Sequence, residues 1–140
     1  MVISSKGRYA LRVMVDLAEH GGDGYVSMRD VARRQELSDK YAGQVMSLLS
    51  RAGLVSGVTG KGGGYRLTRK PEEYPLGEIL RLTEGSLAPV TCLEGAENTC
   101  PRAGQCHTLP MWEKLDSLIN GYLDSVSLAD LLKQTDGSSL

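Results

Sequence analysis

The run from Leu54 to Thr68 limits the fold more than any other stretch of this chain. Leu54-Val55-Ser56-Gly57-Val58 and Tyr65-Arg66-Leu67-Thr68 flank the loop Thr59-Gly60-Lys61-Gly62-Gly63-Gly64. Glycine disfavours helix and favours turns, and the flanking runs are short and rich in β-branched or aromatic residues. The pattern therefore predicts a two-stranded hairpin. Three consecutive glycines also suggest a phosphate-cradling nucleotide loop, but a P-loop needs a Gly-Lys-Ser/Thr start to a following helix, and none follows. Close approach of backbone to a phosphate is a second use for residues without side chains.

What precedes the hairpin is helical. From about Ser5 to His20 the apolar residues Tyr9, Leu11, Val13, Met14, Val15, Leu17 and Ala18 surround the predicted helix, which implies burial on more than one side. Gly21-Gly22-Asp23-Gly24 stops it, and Tyr25-Val26 is a short extended pair. Ser27-Met28-Arg29-Asp30 carries a Ser-x-x-Asp start signal, with Met28, Val31 and Ala32 facing inward. After the break Glu36-Leu37-Ser38, a third helix is expected over about 39–52, with Ser38 as N-cap and Tyr41, Val45, Leu48, Leu49 and Ala52 as its apolar stripe. Two short helices joined by a three-residue turn form a helix-turn-helix, whose second helix lies in the major groove of DNA. A hairpin directly after that helix is the wing of a winged helix.

Charge distribution agrees. The whole chain has 16 basic and 17 acidic residues, net −1, which taken alone argues against a nucleic-acid partner. Divided at Pro71, residues 1–70 carry +6 and residues 71–140 carry −7. Lys6, Arg8, Arg12, Lys40, Arg51, Lys61, Arg66 and Arg69 supply a positive field in the half that holds helix, turn and wing, and neutralising phosphates gives DNA proteins their affinity. The expected organisation is a winged helix-turn-helix domain over 1–70 and a cysteine loop with a dimerisation region over 71–140.

In the acidic half, Pro75-Leu76-Gly77-Glu78 opens a short helix through about Thr83. A longer helix, about 109–124, carries the wide stripe Met111, Trp112, Leu115, Leu118, Ile119, Tyr122, Leu123 and Val126. A stripe that wide must bury against a core or another chain. Ser127-Leu128-Ala129-Asp130 caps a last short helix, and the tail from Thr135 to Leu140 is expected to fray. Between the helices lie all three cysteines, Cys92, Cys100 and Cys106, in a loop rich in Gly, Asn, Pro and Ala. Clustering in a polar loop argues against simple packing, and an odd number argues against structural disulfides. Zinc more often uses a Cys-x2–4-Cys pair, which is missing. Thiolates in such a loop suit a soft metal or an iron–sulfur cluster, and a thiol-redox or zinc switch is the alternative.

Ser5-Lys6-Gly7-Arg8-Tyr9-Ala10, Gly53-Leu54-Val55 and Gly60-Lys61-Gly62-Gly63-Gly64-Tyr65 resemble the signatures of the IscR/NsrR/CymR family of dimeric bacterial regulators, and the similarity runs to about Leu132. The resemblance implies a winged-helix domain, a long dimerisation helix and, in several branches, an iron–sulfur cluster, either 2Fe–2S or 4Fe–4S. It implies DNA contacts from Ser38, Tyr41 and Gln44 on the recognition helix and from Gly60, Gly62 and Gly63 on the wing. Gly43 and Thr59 depart from the pattern, standing where many relatives have a base-reading Glu and a minor-groove Arg. Lys40 and Lys61 are the candidates to compensate. Cys92, Cys100 and Cys106 match the family's cluster cysteines, with a longer first gap. The fourth ligand departs too: Leu109 stands where one branch has a His, and Arg8 near where another has an acidic residue. His107 is the nearest candidate, with Glu94, Glu97 or an acidic group of a second subunit also open.

The expected function is a homodimeric regulator of transcription that binds an operator in double-stranded DNA and senses iron–sulfur, redox or nitric oxide status. Control by a protein partner of sulfur or iron metabolism, as in some cluster-free relatives, is the remaining class. No nucleophile triad, paired-carboxylate motif or dinucleotide fingerprint points to an enzyme. The apolar runs fall far short of a membrane span and no cleavable leader is visible, so the expectation is a cytoplasmic protein without membrane contact.

Overall fold

A computed structural model describes residues 2–133; the tail expected to fray lies outside the described residues. The chain begins with α1 (Ser5–His20), α2 (Met28–Gln35) and α3 (Asp39–Arg51), followed by strands β1 (Val55–Val58) and β2 (Gly64–Leu67). After a 3-10 turn at Pro71–Glu73 come α4 (Leu76–Glu84), the cysteine loop, α5 (Leu109–Ser125) and α6 (Leu128–Leu132). The fold is mainly helical with a two-stranded antiparallel wing, as the spacing predicts.

Serine side chains start four of the helices. Ser4, Ser27, Ser38 and Ser127 each accept the backbone N–H three residues on, and Ser127 with Asp130 completes a reciprocal capping box. Each such cap is worth about 1 kcal/mol against alanine. Helix α2 ends differently. Glu36 adopts a left-handed conformation at φ 57°, and among the described residues it is the one non-glycine with positive φ. This strained residue forms the corner between α2 and α3.

The core is built by α1 with every neighbour. Ala10, Val13, Met14 and Leu17 pack with Val31, Val45, Met46, Leu49, Leu54 and Val55. Tyr74, Ile79 and Leu128, from beyond the winged segment, belong to the same cluster. Burial on α3 differs from the expected stripe: Ala42 and Met46 are buried, Leu48 is half-buried and Ala52 is exposed. The reason is that α3 packs against α1, α2 and β1 together, which turns its buried face toward Ala42.

Strands β1 and β2 pair in the register Val55↔Leu67 to Val58↔Gly64. The extended pair Tyr25-Val26 adds a third backbone line, since Val26 and Tyr65 exchange N–H···O bonds of 2.8 Å in both directions. The far end of the chain returns to this body. Leu76 N–H donates to Val126 O and Leu128 N–H to Tyr74 O, both at 2.9 Å. Val126, expected in the helical stripe, is therefore extended: it leaves α5 to make this bridge.

Candidate nucleic-acid interface and cysteine loop

Helix α3 presents its N-terminal turns to solvent. Ser38 Oγ accepts Tyr41 N–H at 3.0 Å, so its hydroxyl caps the helix and keeps its own proton for an outside acceptor. Lys40 and Gln44 are exposed, and Tyr41 is half-buried. Lys6, Tyr41, Gln44, Val45, Leu48 and Arg51 line a groove of about 240 Å³. It carries a cation from α1 and another from the last turn of α3, with neutral polar groups between. Gly43 lies under Met28, and a methyl group there would sit 3.5 Å from Met28 Sδ, in ordinary contact. The absence of a side chain at 43 is therefore not required by packing.

The wing glycines have reasons internal to the hairpin. Gly60 and Gly62 have φ of 94° and 79°, the left-handed region that favours glycine. At Gly63 and Gly64 a side chain would overlap the carbonyls of Val58 and Val26. Thr59, Lys61, Gly60 and Gly62 are exposed at the tip, with Gly63 half-buried behind them. The loop thus offers a cation, a hydroxyl and glycine backbone on one protrusion.

The expected basic residues divide into two groups. Lys6, Arg8, Lys40, Arg51, Lys61 and Arg66 are exposed. Arg69, however, is paired with Glu78 at 2.9 Å, a hydrogen bond that raises its pKa, and lies over the Tyr74 ring. Arg12 is bound to Gln35 through both its Nε and Nη2. These two arginines add to the long-range field while serving the fold.

Two elements of the site carry no sequence signal of their own. Asp16 is buried on α1, and Arg34 grips it with two bonds of 2.9 and 2.7 Å while Gln35 Nε2 donates a third at 2.9 Å. Burial alone would raise the Asp16 pKa, but the bonds from Arg34 and Gln35 outweigh it and hold the carboxyl below its usual value. Tyr74 is fully buried; its hydroxyl donates to Leu54 O at 2.7 Å and accepts N–H groups of Thr68 and Arg69 at 2.9 and 3.0 Å. One phenol therefore ties the end of the wing to the end of α3.

From Gly85 to Thr108 the chain forms a single 3-10 turn, Thr91–Leu93, anchored by buried Leu87. Connections this long without regular structure are uncommon and are usually either functional or linker segments. Cys92 lies in the 3-10 turn, and all three cysteines are free thiols, half-buried. Cys106 lies within 3.3 Å of Thr108 Oγ1, and hydrogen bonds from the Thr108 side chain and backbone lower its pKa. His107 is exposed beside it. Among the described residues no three His, Cys, Asp or Glu side chains gather into a metal-binding group. The donor chemistry of three thiols in one loop fits a soft metal or cluster, but a single subunit does not gather them.

The loop feeds directly into α5, none of whose residues is buried. Met111, Leu115, Leu118 and Tyr122 are between 36% and 56% exposed and fall on one face. The opposite side meets α4, where Arg81 pairs with Asp124 and donates to Asn120 Oδ1 at 2.9 Å. A side chain at Gly77 would overlap the Asp124 carboxylate, so α4 and α5 approach through that glycine. No helix among the described residues is long and apolar enough to cross a membrane.

Comparison with known proteins agrees with this architecture. Residues 3–134 match the model of the Rrf2 family, described as iron-dependent transcriptional regulators. The HTH-type transcriptional regulator IscR of Aliivibrio salmonicida is 40% identical over 132 residues, 94% of this chain and 77% of that protein. The structure of CymR, the global cysteine regulator of Bacillus subtilis, superimposes with a TM-score of 0.78 at 34% identity, covering 96% of this chain and 98% of that one. The structure of T. potens IscR gives 0.76 at 37% identity, covering 100% and 92%. These relatives are regulators of transcription, not enzymes.

Proposed function

Because this chain belongs to the Rrf2 family of DNA-binding transcriptional regulators, we propose that it acts as a homodimer on a two-fold operator and is switched through its cysteine loop. Ser38, Lys40, Tyr41 and Gln44 would meet base edges and phosphates in the major groove. Thr59, Gly60, Lys61, Gly62 and Gly63 would bring the wing against the flanking backbone. With Gly43 silent, base reading falls to fewer side chains, so phosphate contacts from Lys40 and Lys61 carry more of the affinity.

The observation that carries the switch reading is positional. Three free thiols lie in one polar loop, and that loop ends at the exposed apolar face of α5. Pairing of this face between two subunits would bury Met111, Leu115, Leu118 and Tyr122 and set the separation of the two winged bodies. Cys92, Cys100 and Cys106 would hold an iron–sulfur cluster, with His107 as the candidate fourth ligand. Bound there, such a group would supply a redox-labile cross-link among the three thiols. The chain's own part is to carry the loop's conformation into α5. Coupling between two such sites is typically about 1–3 kcal/mol, a change in operator affinity of roughly 5–150-fold.

Purification without oxygen tests this. Iron and sulfide bound to the chain, with a visible absorbance that bleaches in air, are the expected result. A colourless, iron-free protein under those conditions removes the cluster. A second reading then takes its place, a thiol-redox or zinc switch in the same loop, drawing on the same three free thiols. Zinc analysis and thiol titration separate its two forms. Control by a protein partner would appear as capture of an enzyme of sulfur or iron metabolism in pull-downs.

A further inference from the structure

We propose that Tyr9 and Arg12, both on α1, are positioning residues for DNA reading, holding the two sides of the helix-turn-helix corner and so setting the angle at which α3 meets the bases. The inference rests on the reading of α3 as the recognition helix. On the α3 side, the Tyr41 ring stands edge-on to Tyr9, with centroids 5.6 Å apart and planes at 84°, a favoured aromatic geometry. On the α2 side, Arg12 donates to the Gln35 carbonyl at 2.5 Å and to its side-chain oxygen at 3.1 Å. The same guanidinium lies 5.0 Å from the Tyr9 centroid, so one cation joins both contacts.

Three observations make this more than surface decoration. Gln35 is itself fixed, because its amide donates to buried Asp16, which Arg34 already grips. The residue between the two anchored sides, Glu36, is left-handed, a conformation that costs a non-glycine energy, so the local cap bond from Leu37 N–H to Ala32 O is backed by contacts from outside. Finally, α1 contributes to the core through Ala10, Val13, Met14 and Leu17, while Tyr9 is half-buried and Arg12 exposed. Changing either of the two leaves the core intact.

The rival account is that Tyr9 and Arg12 touch phosphate directly. Full-length wild-type protein would first select its preferred duplex from a random-sequence pool. Affinities for the selected and a scrambled duplex are then measured across salt concentration for wild type, Tyr9→Leu, Tyr9→Phe and Arg12→Lys. Positioning predicts that Tyr9→Leu and Arg12→Lys lower the selected-to-scrambled ratio by about ten-fold, with scrambled-duplex affinity and salt slope unchanged. Tyr9→Phe keeps the wild-type ratio, because the ring suffices. The proposal is overturned if Tyr9→Phe loses as much as Tyr9→Leu, if the affinities for selected and scrambled duplex fall together in Tyr9→Leu or Arg12→Lys, or if every ratio is unchanged. A wild-type protein that selects no sequence overturns it at an earlier step, by removing the recognition-helix reading itself.

Discussion

At the scale of single residues, Asp16 shows what composition hides. A carboxylate in the first helix of a basic half looks like a stray surface charge, yet it is buried and carries three hydrogen bonds. Its pKa is lower folded than unfolded, so its contribution is fully present above the ordinary carboxylate value of about 4 and is lost as pH falls through the folded value. Asp16→Asn should therefore weaken the protein at neutral pH and flatten the acid limb of its stability curve; urea melts between pH 3 and 7 would show both. Asp16→Ala leaves the Arg34 guanidinium half-buried without its acceptor and should cost on the order of 3 kcal/mol. None of this was legible beforehand, because burial of a charge depends on which helix faces it, and spacing within α1 does not carry that. Tyr74 was unreadable for the same reason. The serine caps were legible, since a cap and its helix are neighbours in sequence.

At the scale of elements, α3 and the wing were readable because their signals are local: a cap, a stripe and a glycine loop with its flanking strands. The exact buried face of α3 was not, since three elements share it. Gly43, half-buried under Met28, is the weak point of this helix. A methyl group fits beside Met28, so Gly43→Ala should raise stability by about 1 kcal/mol while leaving the fold unchanged, as thermal melts would record. On the wing, Lys61 is exposed at the tip. Lys61→Ala should weaken binding to all duplexes alike and reduce the magnitude of the salt slope by about one. An unchanged slope in fluorescence anisotropy titrations would mean that Lys61 meets no phosphate.

At the scale of the molecule, the charge boundary and the core boundary do not coincide. The basic half ends near Pro71, but Tyr74, Ile79 and Leu128 are packed into the cluster around α1. A fragment ending at Lys70 should consequently be poorly folded as well as weak on DNA, which circular dichroism and binding would show together. The long stripe on α5 was legible as apolar; that it faces solvent in one subunit was not, because periodicity cannot distinguish a core from a partner. Leu118→Asp on that face should give monomers in analytical ultracentrifugation with the winged fold retained, and should lose operator affinity far more than non-specific affinity. A variant that remains dimeric would place the pairing face elsewhere.

The two ends of α5 are held unequally. The chain just after its C-terminus is bridged by backbone hydrogen bonds linking Val126 to Leu76 and Leu128 to Tyr74, and Asp124 in its last turn is clasped by Arg81, while its first residues follow the cysteine loop. Under the proposed switch, α5 would act as a lever with its pivot at the C-terminal end and its handle among the thiols. A 17-residue helix is about 25 Å long, so pulling the handle sideways by roughly 2 Å turns the arm by only about 5°. Small rearrangements of the loop would thus be geared down into fine angular adjustments. In the proposed homodimer that ratio would suit tuning the pitch of two reading heads against a fixed helical repeat better than releasing them altogether.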